Sequence, residues 1–154
     1  MSKKENPFTF KSANDATGFL LYQVHNFWHR EIKKSLKDLN ITHTQFVILA
    51  SAYWLILHQD EVTQVEIARH AKMDTMMCSN VLRTLEKKNF LKRKEHQTDT
   101  RAKLVILTDK GIEILKIAVK RVETFDREFF SNLQNNMEFN KELLRLINKT
   151  ADKK

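Results

Sequence analysis

The sequence contains few of the residues that form turns and interrupt helices and strands, since its 154 residues include only two glycines and one proline. Tight turns and long loops depend on those two residue types, so few of either are expected. A β-sandwich or barrel, which needs many turns, is therefore disfavoured, and a mostly helical fold is predicted. A chain of this length is expected to form one domain that buries its own core.

Cysteine and long apolar runs are equally scarce. Cys78 is the single cysteine, which excludes an intramolecular disulfide and favours a reducing compartment. The longest apolar run covers residues 46–57, well short of the roughly 18 residues that a transmembrane helix needs. The first residues lack the apolar segment of a signal peptide. We therefore expect a cytoplasmic protein.

Motifs of enzymes are missing as well. The sequence contains no glycine-rich phosphate loop, no His-Glu-x-x-His and no nucleophile elbow. His25 and His29 have the spacing of two zinc ligands on one helix, but the sequence does not place a third ligand beside them. No catalytic residue, metal site or cofactor is predicted, and a histidine-based metal hydrolase is a distant alternative.

Basic side chains outnumber acidic ones. Lys and Arg total 27 against 19 Asp and Glu, which gives a formal net charge of +8. Such an excess is compatible with a polyanionic partner such as nucleic acid, although charge alone does not identify one.

The stretch from Thr63 to Thr108 carries most of the positional information in the chain. Thr63 and Glu66 have the spacing of a capping box at the start of a short helix. Residues 71–73 form a turn, after which Asp74 caps a second helix. The second helix has one apolar stripe at helical spacing, made of Cys78, Val81, Leu82 and Leu85.

The opposite face of this second helix carries side chains suited to the major groove of DNA. Asn pairs with adenine, Arg pairs with guanine, and Met contacts the thymine methyl group. The candidate contacts on this face are Thr75, Met76, Ser79, Asn80, Arg83 and Lys87. Cys78, on the stripe behind them, is interpreted as a core residue, with a redox switch as the alternative.

Two strand-like runs, residues 91–95 and 103–107, follow the second helix. Their connector lacks glycine and proline, which predicts a longer projecting loop instead of a two-residue turn. Two helices followed by such a hairpin are the pattern of a winged helix-turn-helix. The basic residues expected to contact phosphates are Lys72, Lys87, Lys88, Lys92, Arg93, Lys94 and Lys103.

Four further helices are predicted around this stretch. Helical spacing of apolar residues extends from Ser12 to Leu39, and a capping box at Thr42 to Gln45 precedes an almost wholly apolar helix over residues 46–58. A long helix begins at Thr108 or Asp109 and continues to about Phe130. A last helix follows a polar break over residues 131–136, with an apolar face formed by Phe139, Leu143, Leu146 and Ile147.

The residues of the stretch resemble the MarR family of bacterial transcription regulators. The similarity rests on residues 64–68, on residues 85–91 and above all on residues 99–111, where an Asp-x-Arg pair precedes a strand and a Thr-x-x-Gly helix start. Three features depart from the family pattern. Asn89 stands where glycine is commoner, residues 95–98 replace a segment that often contains proline, and Met76 with Met77 replaces small hydroxyl residues.

The resemblance implies a mostly α (α+β) winged helix-turn-helix fold and a homodimer that binds pseudo-palindromic double-stranded DNA. Residues 12–40 and 109–150 would form the dimerisation lobe, and residues 42–108 the DNA-binding lobe, with the helix-turn-helix at 63–88 and the wing at 91–107. Arg101 would enter the minor groove, where the negative potential is concentrated. Asp99 would position Arg101, and Lys103 would contact phosphate.

The resemblance also implies a repressor that a small aromatic effector releases from DNA. The candidate effector pocket comprises Tyr22, His25, Trp28, His29, Tyr53 and Trp54. The alternative for these side chains is a role in the core and the dimer interface. The alternative for the whole chain is a protein-binding winged helix whose terminal helices contact a partner.

Overall fold

The computed structural model describes residues 6–96 and 102–151. Within them the chain forms six α-helices and one antiparallel pair of strands. In chain order these are α1 (Thr17–Leu36), α2 (His43–Ile56), α3 (Gln64–His70), α4 (Thr75–Lys87), β1 (Leu91–Glu95), β2 (Lys103–Leu107), α5 (Asp109–Phe129) and α6 (Asn136–Ala151). The predicted mostly helical winged fold is confirmed, and both strands have the predicted bounds. Every helix in the described ranges falls short of the length or the hydropathy that a membrane span requires.

Local capping explains where most of these helices begin. Thr42 with Gln45 and Thr63 with Glu66 form the predicted capping boxes of α2 and α3. The Thr108 hydroxyl accepts a hydrogen bond from the Gly111 N–H at the start of α5. Each cap satisfies backbone donors that have no partner inside the helix, which is worth about 1 kcal/mol.

Three helical segments end at non-glycine residues in the left-handed region. Asn40, Lys72 and Asn89 have φ angles of 54°, 51° and 61°. At the end of α4 the Phe90 N–H donates to the Leu85 carbonyl and the Asn89 N–H to the Glu86 carbonyl. A helix ends most often with glycine in this conformation, and asparagine is the next best residue. The departure at Asn89 therefore keeps the backbone geometry that glycine would provide.

The core is built where α1, α2, α4 and α5 meet. Ile32 and Leu36 of α1 are fully buried with Leu49 of α2, Leu82 of α4 and Ala118 of α5. The two strands pack on this core through Leu91 and Val105. The Val105 N–H donates to the Val62 carbonyl at 2.8 Å, which attaches the hairpin to the start of α3.

The first two helices differ from the prediction at their ends. Ser12 caps a short 3-10 turn over Ala13–Asp15, and α1 itself begins only at Thr17. The N-terminal half of α1 is not buried, because Leu20, Val24 and Phe27 are 38%, 44% and 57% exposed. α2 ends at Ile56, two residues early, where it emerges from the core.

Candidate nucleic-acid interface

The turn between α3 and α4 holds the two helices at a defined angle. Lys72 takes the left-handed conformation that reverses the chain. Asp74 then caps α4, since its Oδ1 accepts hydrogen bonds from the Met76 N–H at 2.9 Å and the Met77 N–H at 3.0 Å. The carboxylate also lies at the positive end of the helix dipole. The cap therefore fixes the end of α4 that carries Thr75 and Met76.

The two faces of α4 are sharply different. Cys78, Leu82 and Leu85 are fully buried, and Val81 at the edge of the stripe is half-buried. On the other face Met76 is 74% exposed. Of the other predicted contacts, Thr75, Asn80, Arg83 and Lys87 are exposed and Ser79 is half-buried. The structure therefore brings all six predicted α4 residues to one accessible surface.

Asn80 and Arg83 form a pair on that surface. The Arg83 Nη1 donates to the Asn80 Oδ1 at 3.1 Å, and both side chains are exposed. Exposed pairs of this kind add little stability, so either partner can exchange the bond for another at small cost. The arrangement places an amide and a guanidinium side by side, which are the groups best suited to adenine and guanine edges.

The two strands of the predicted wing form a regular antiparallel ladder. β1 pairs with β2 from Leu91 opposite Leu107 to Glu95 opposite Lys103, and the His96 N–H donates to the Ala102 carbonyl at 3.1 Å. The Lys103 Nζ lies 2.8 Å from the Glu95 Oε1, an exposed ion pair that a phosphate can replace. The predicted residues Asp99 and Arg101 lie outside the described residues.

Glu86 connects α4 to the wing. Its Oε1 accepts from the Arg93 N–H at 2.8 Å, and its Oε2 accepts from the Arg93 Nε at 3.0 Å and Nη2 at 2.6 Å. The hydrogen bond from the Arg93 side chain holds the pKa of Glu86 below its usual value. Arg93 was expected to contact phosphate, whereas the structure places it in this ion pair. Sequence reasoning missed Glu86, because a turn separates the two residues and only the fold shows that they meet.

The candidate effector residues divide into two groups. His25, Trp28 and His29 lie together, and the ring of His43, which sequence reasoning missed, lies 4.9 Å from Trp28 and 5.3 Å from His29. The Trp28 Nε1 donates to the Asp126 Oδ1 at 2.7 Å. Burial, together with the charges of His29 and His25, lowers the pKa of His43 to about 4.

The remaining three residues of the predicted pocket are placed differently. Tyr22 and Trp54 are 62% and 57% exposed, and Trp54 contacts the ring of His58. Tyr53 is half-buried against the core. Within the described part of the chain, no group of His, Cys, Asp or Glu is placed to hold a metal ion.

Cys78 has the surroundings of a core residue. Its side chain is fully buried in α4, and its Sγ lies 3.7 Å from the Gln64 carbonyl. Burial raises the pKa of the thiol to about 11. Because the thiolate is the reactive form, this environment opposes a redox role.

We expect Cys78 to react with iodoacetamide at pH 8 about 100-fold more slowly than an exposed thiol, because its pKa is raised and its Sγ is covered. The rate is measured by mass spectrometry of the folded protein. The same protein in denaturant is the control and should react at the rate of an ordinary cysteine. Equal rates in the two states would contradict the assignment of Cys78 to the core.

Comparisons with known proteins agree with this geometry. The sequence model of the MarR family matches residues 41–103. An uncharacterised HTH-type transcriptional regulator of Bacillus subtilis, YdcH, is 40% identical over 122 residues, covering 79% of this chain and 83% of the relative. The matched relative is named as a transcription regulator and not as an enzyme.

Solved structures share the fold. A cysteine-to-serine mutant of Escherichia coli MarR complexed with operator DNA has a TM-score of 0.72 at 26% identity, covering 84% of this chain and 91% of that one. Bordetella bronchiseptica BpsR, whose DNA binding is regulated by 6-hydroxynicotinic acid, has a TM-score of 0.75 at 22% identity, covering 96% and 99%. With its capped α4, its two-stranded wing and its YdcH relative, this chain belongs to the MarR family of winged helix-turn-helix transcription regulators.

Proposed function

We propose that this protein is a homodimeric repressor that binds pseudo-palindromic double-stranded DNA. The exposed face of α4 is the observation that carries the proposal, because it presents side chains for base edges next to a capped and fixed helix start. The operator complex of E. coli MarR supports this use of the fold. We further propose a cytoplasmic protein without enzymatic activity.

The individual side chains have distinct proposed roles. Asn80 and Arg83 read base edges in the major groove, and Met76 lies against a thymine methyl group. Thr75, Ser79, Lys87 and Lys103 bind phosphates, which position the helix without reading sequence. Arg101 enters the minor groove beside them, held by Asp99.

The terminal segments form the dimerisation lobe in this proposal. Residues 12–40 and 109–150 pair two copies, and residues 42–108 bind one half-site each, with the helix-turn-helix at 63–88 and the wing at 91–107. The exposed apolar face on the N-terminal half of α1 supports this division. Two such lobes fit half-sites about one helical turn apart, roughly 34 Å.

An aromatic effector is proposed to act where α1 meets α2. His25, Trp28, His29 and His43 provide a cluster of rings between the dimerisation helices and the DNA-binding lobe. The regulation of BpsR by 6-hydroxynicotinic acid supports an aromatic acid. A ligand that prefers one separation of the two α4 helices would lower DNA affinity by its differential binding to that state.

Selection of bound sites from a random pool of duplex DNA tests the proposed function. We expect an inverted repeat to be enriched, with affinity that falls as salt rises because phosphate contacts release counterions. A pool without an enriched motif, together with affinity insensitive to salt, would favour a protein-binding winged helix instead. The exposed apolar face of α1 would then contact that partner.

Replacing Arg101 by alanine is expected to weaken binding to the selected duplex about tenfold while leaving the fold intact. The loss corresponds to roughly 1.4 kcal/mol, as expected for one guanidinium in a minor groove. Gel-shift titration at fixed salt measures it. Arg127→Ala, an exposed arginine of α5, is the matched control and should bind as the wild type does. Equal affinities of the two variants would contradict the role of Arg101.

A further inference from the structure

A basic cleft lies between the second half of α1 and the start of α2. Its volume is about 860 Å³, within the range of small-molecule pockets. The described side chains that line it include no carboxylate. Five of them are cationic, namely Arg30, Lys33, Lys34, Lys37 and Lys88. No residue of α5 lines the cleft, which shares His29 and His43, but not His25 or Trp28, with the rings proposed to hold the aromatic effector.

Neighbouring carboxylates neutralise only part of this charge. Glu31 lies beside the cleft, with its Oε1 2.7 Å from the Lys34 Nζ and 3.4 Å from the Arg30 Nε. Asp38 is turned away from the cleft, since its Oδ2 accepts from the Arg121 Nη2 at 3.0 Å. Lys88 is half-buried, and its Nζ donates to two neutral acceptors, the Asn40 carbonyl at 2.6 Å and the Gln45 Oε1 at 3.1 Å. An excess of positive charge therefore remains around a concave space.

One wall of the cleft is made of rings. His29 and His43 both line it, with their ring centroids 5.3 Å apart. Because the pKa of His43 is lowered to about 4, its ring is neutral at pH 7 and adds no positive charge to this wall. The cleft thus combines several cations with a surface on which a planar group can pack.

From this combination we propose that the cleft binds a small phosphorylated molecule of the nucleotide class, with a polyphosphate on the lysines and a planar base against His29 and His43. A guanidinium and several ammonium groups suit phosphate oxygens. Duplex DNA is disfavoured as the occupant, because Lys88 follows the C-terminus of α4. That end lies about 20 Å along the helix from the N-terminal end that presents Thr75 and Met76.

Lys88 provides a route from this cleft to the DNA-binding helix. It directly follows α4, and the Gln45 Oε1 that it contacts also accepts from the Thr42 N–H in the capping box of α2. A phosphate that draws the ammonium away from Gln45 and Asn40 would loosen the attachment of α4 to the start of α2. This regulatory step rests on the proposed function, whereas the binding itself does not.

Isothermal titration of the full-length protein with ATP and with tripolyphosphate, in the absence of DNA, tests the site. We expect the wild type to bind one ATP per chain. Lys33→Gln/Lys37→Gln, a variant at two exposed positions, should bind it at least tenfold more weakly. Lys116→Gln/Lys120→Gln on α5 carries the same change of charge and should bind as the wild type does. Absence of binding, or equal weakening in both variants, would overturn the site.

Comparison of the affinities for the two probes separates the contribution of the rings from that of the cations. ATP is expected to bind more tightly than tripolyphosphate, and His43→Ala should abolish that difference. Equal affinities of the wild type for the two probes would overturn the assignment of the ring surface. Since no DNA is present, failure of the proposed DNA binding would leave these outcomes unchanged.

The regulatory step has its own measurement. Saturating ATP is expected to change the Kd of the wild type for the selected duplex at least threefold, and to leave the Kd of Lys33→Gln/Lys37→Gln unchanged. An unchanged Kd in the wild type would overturn the coupling through Lys88. An equal change in both proteins would show an effect of ionic strength alone and would overturn it as well.

Discussion

Replacing Gly111 by alanine is expected to lower the free energy of unfolding by about 3 kcal/mol, the upper part of the usual range for overpacking. A Cβ atom at this position would lie 1.9 Å from the Phe90 carbonyl oxygen and 2.8 Å from its carbon. That oxygen is backbone and accepts a hydrogen bond from the Thr108 N–H at 3.1 Å, so it cannot rotate away as a side chain would. The start of α5 must move instead.

Urea denaturation, monitored by circular dichroism, measures this change in the free energy of unfolding. Gly18→Ala is the matched control, because Gly18 also lies in the first turn of a helix and has nothing within 4 Å of its Cβ position. Alanine there should raise stability by up to about 1 kcal/mol through helix propensity. A Gly111→Ala protein with the wild-type unfolding midpoint would contradict the close approach of α5 to Phe90.

A double substitution on α1, Leu20→Glu with Val24→Glu, is expected to separate the dimer and to weaken operator binding by about 100-fold or more. Both side chains lie on the apolar face that the single chain leaves 38% and 44% exposed. Carboxylates cannot be buried there without a partner, so the two copies should dissociate. A monomer engages one half-site at a time and loses the gain in affinity that linkage of two sites provides.

Sedimentation gives the oligomeric state, and gel-shift titration with the selected duplex gives the affinity. Asn26→Asp adds one carboxylate at an exposed polar position on the opposite side of the same helix from Val24 and should leave both properties unchanged. A double variant that remains dimeric would show that the dimer forms elsewhere. A wild type that is monomeric at micromolar concentration would contradict the proposed dimer itself.

Local chemistry made several parts of the fold predictable. The capping boxes at Thr42 and Thr63 and the cap at Asp74 follow from residues within one turn of the helix that they begin. The strands 91–95 and 103–107 were predicted with correct bounds, because both runs are short and the second is rich in aliphatic residues. The buried stripe through Cys78, Leu82 and Leu85 follows from spacing alone.

Contacts between distant residues were not predictable in this way. Arg93 and Lys88 have the same appearance in the sequence as other basic residues, yet Arg93 binds Glu86 and Lys88 donates to Asn40 and Gln45. His43 was not included in the effector pocket, since nothing near it in the chain indicates that it meets Trp28. The partners of such side chains lie in other segments of the chain, and only the tertiary structure brings them together.

The N-terminal half of α1 shows most clearly what apolar spacing in the sequence does not predict. Apolar spacing establishes that Leu20, Val24 and Phe27 form one face of a helix, but it does not indicate what covers that face. The structure shows that the rest of the described chain leaves these side chains exposed.

The sequence by itself determined the order of the elements, their caps and the exposed character of the α4 face, because these depend on neighbours within about one helical turn. The tertiary structure decided which cations remain available for a ligand and which are held by Glu86 or Gln45. It also decided that Lys88 lies at the basic cleft, beside the second half of α1 and the start of α2. Long-range packing sets these positions, since it brings residues from separate helices to within hydrogen-bond distance.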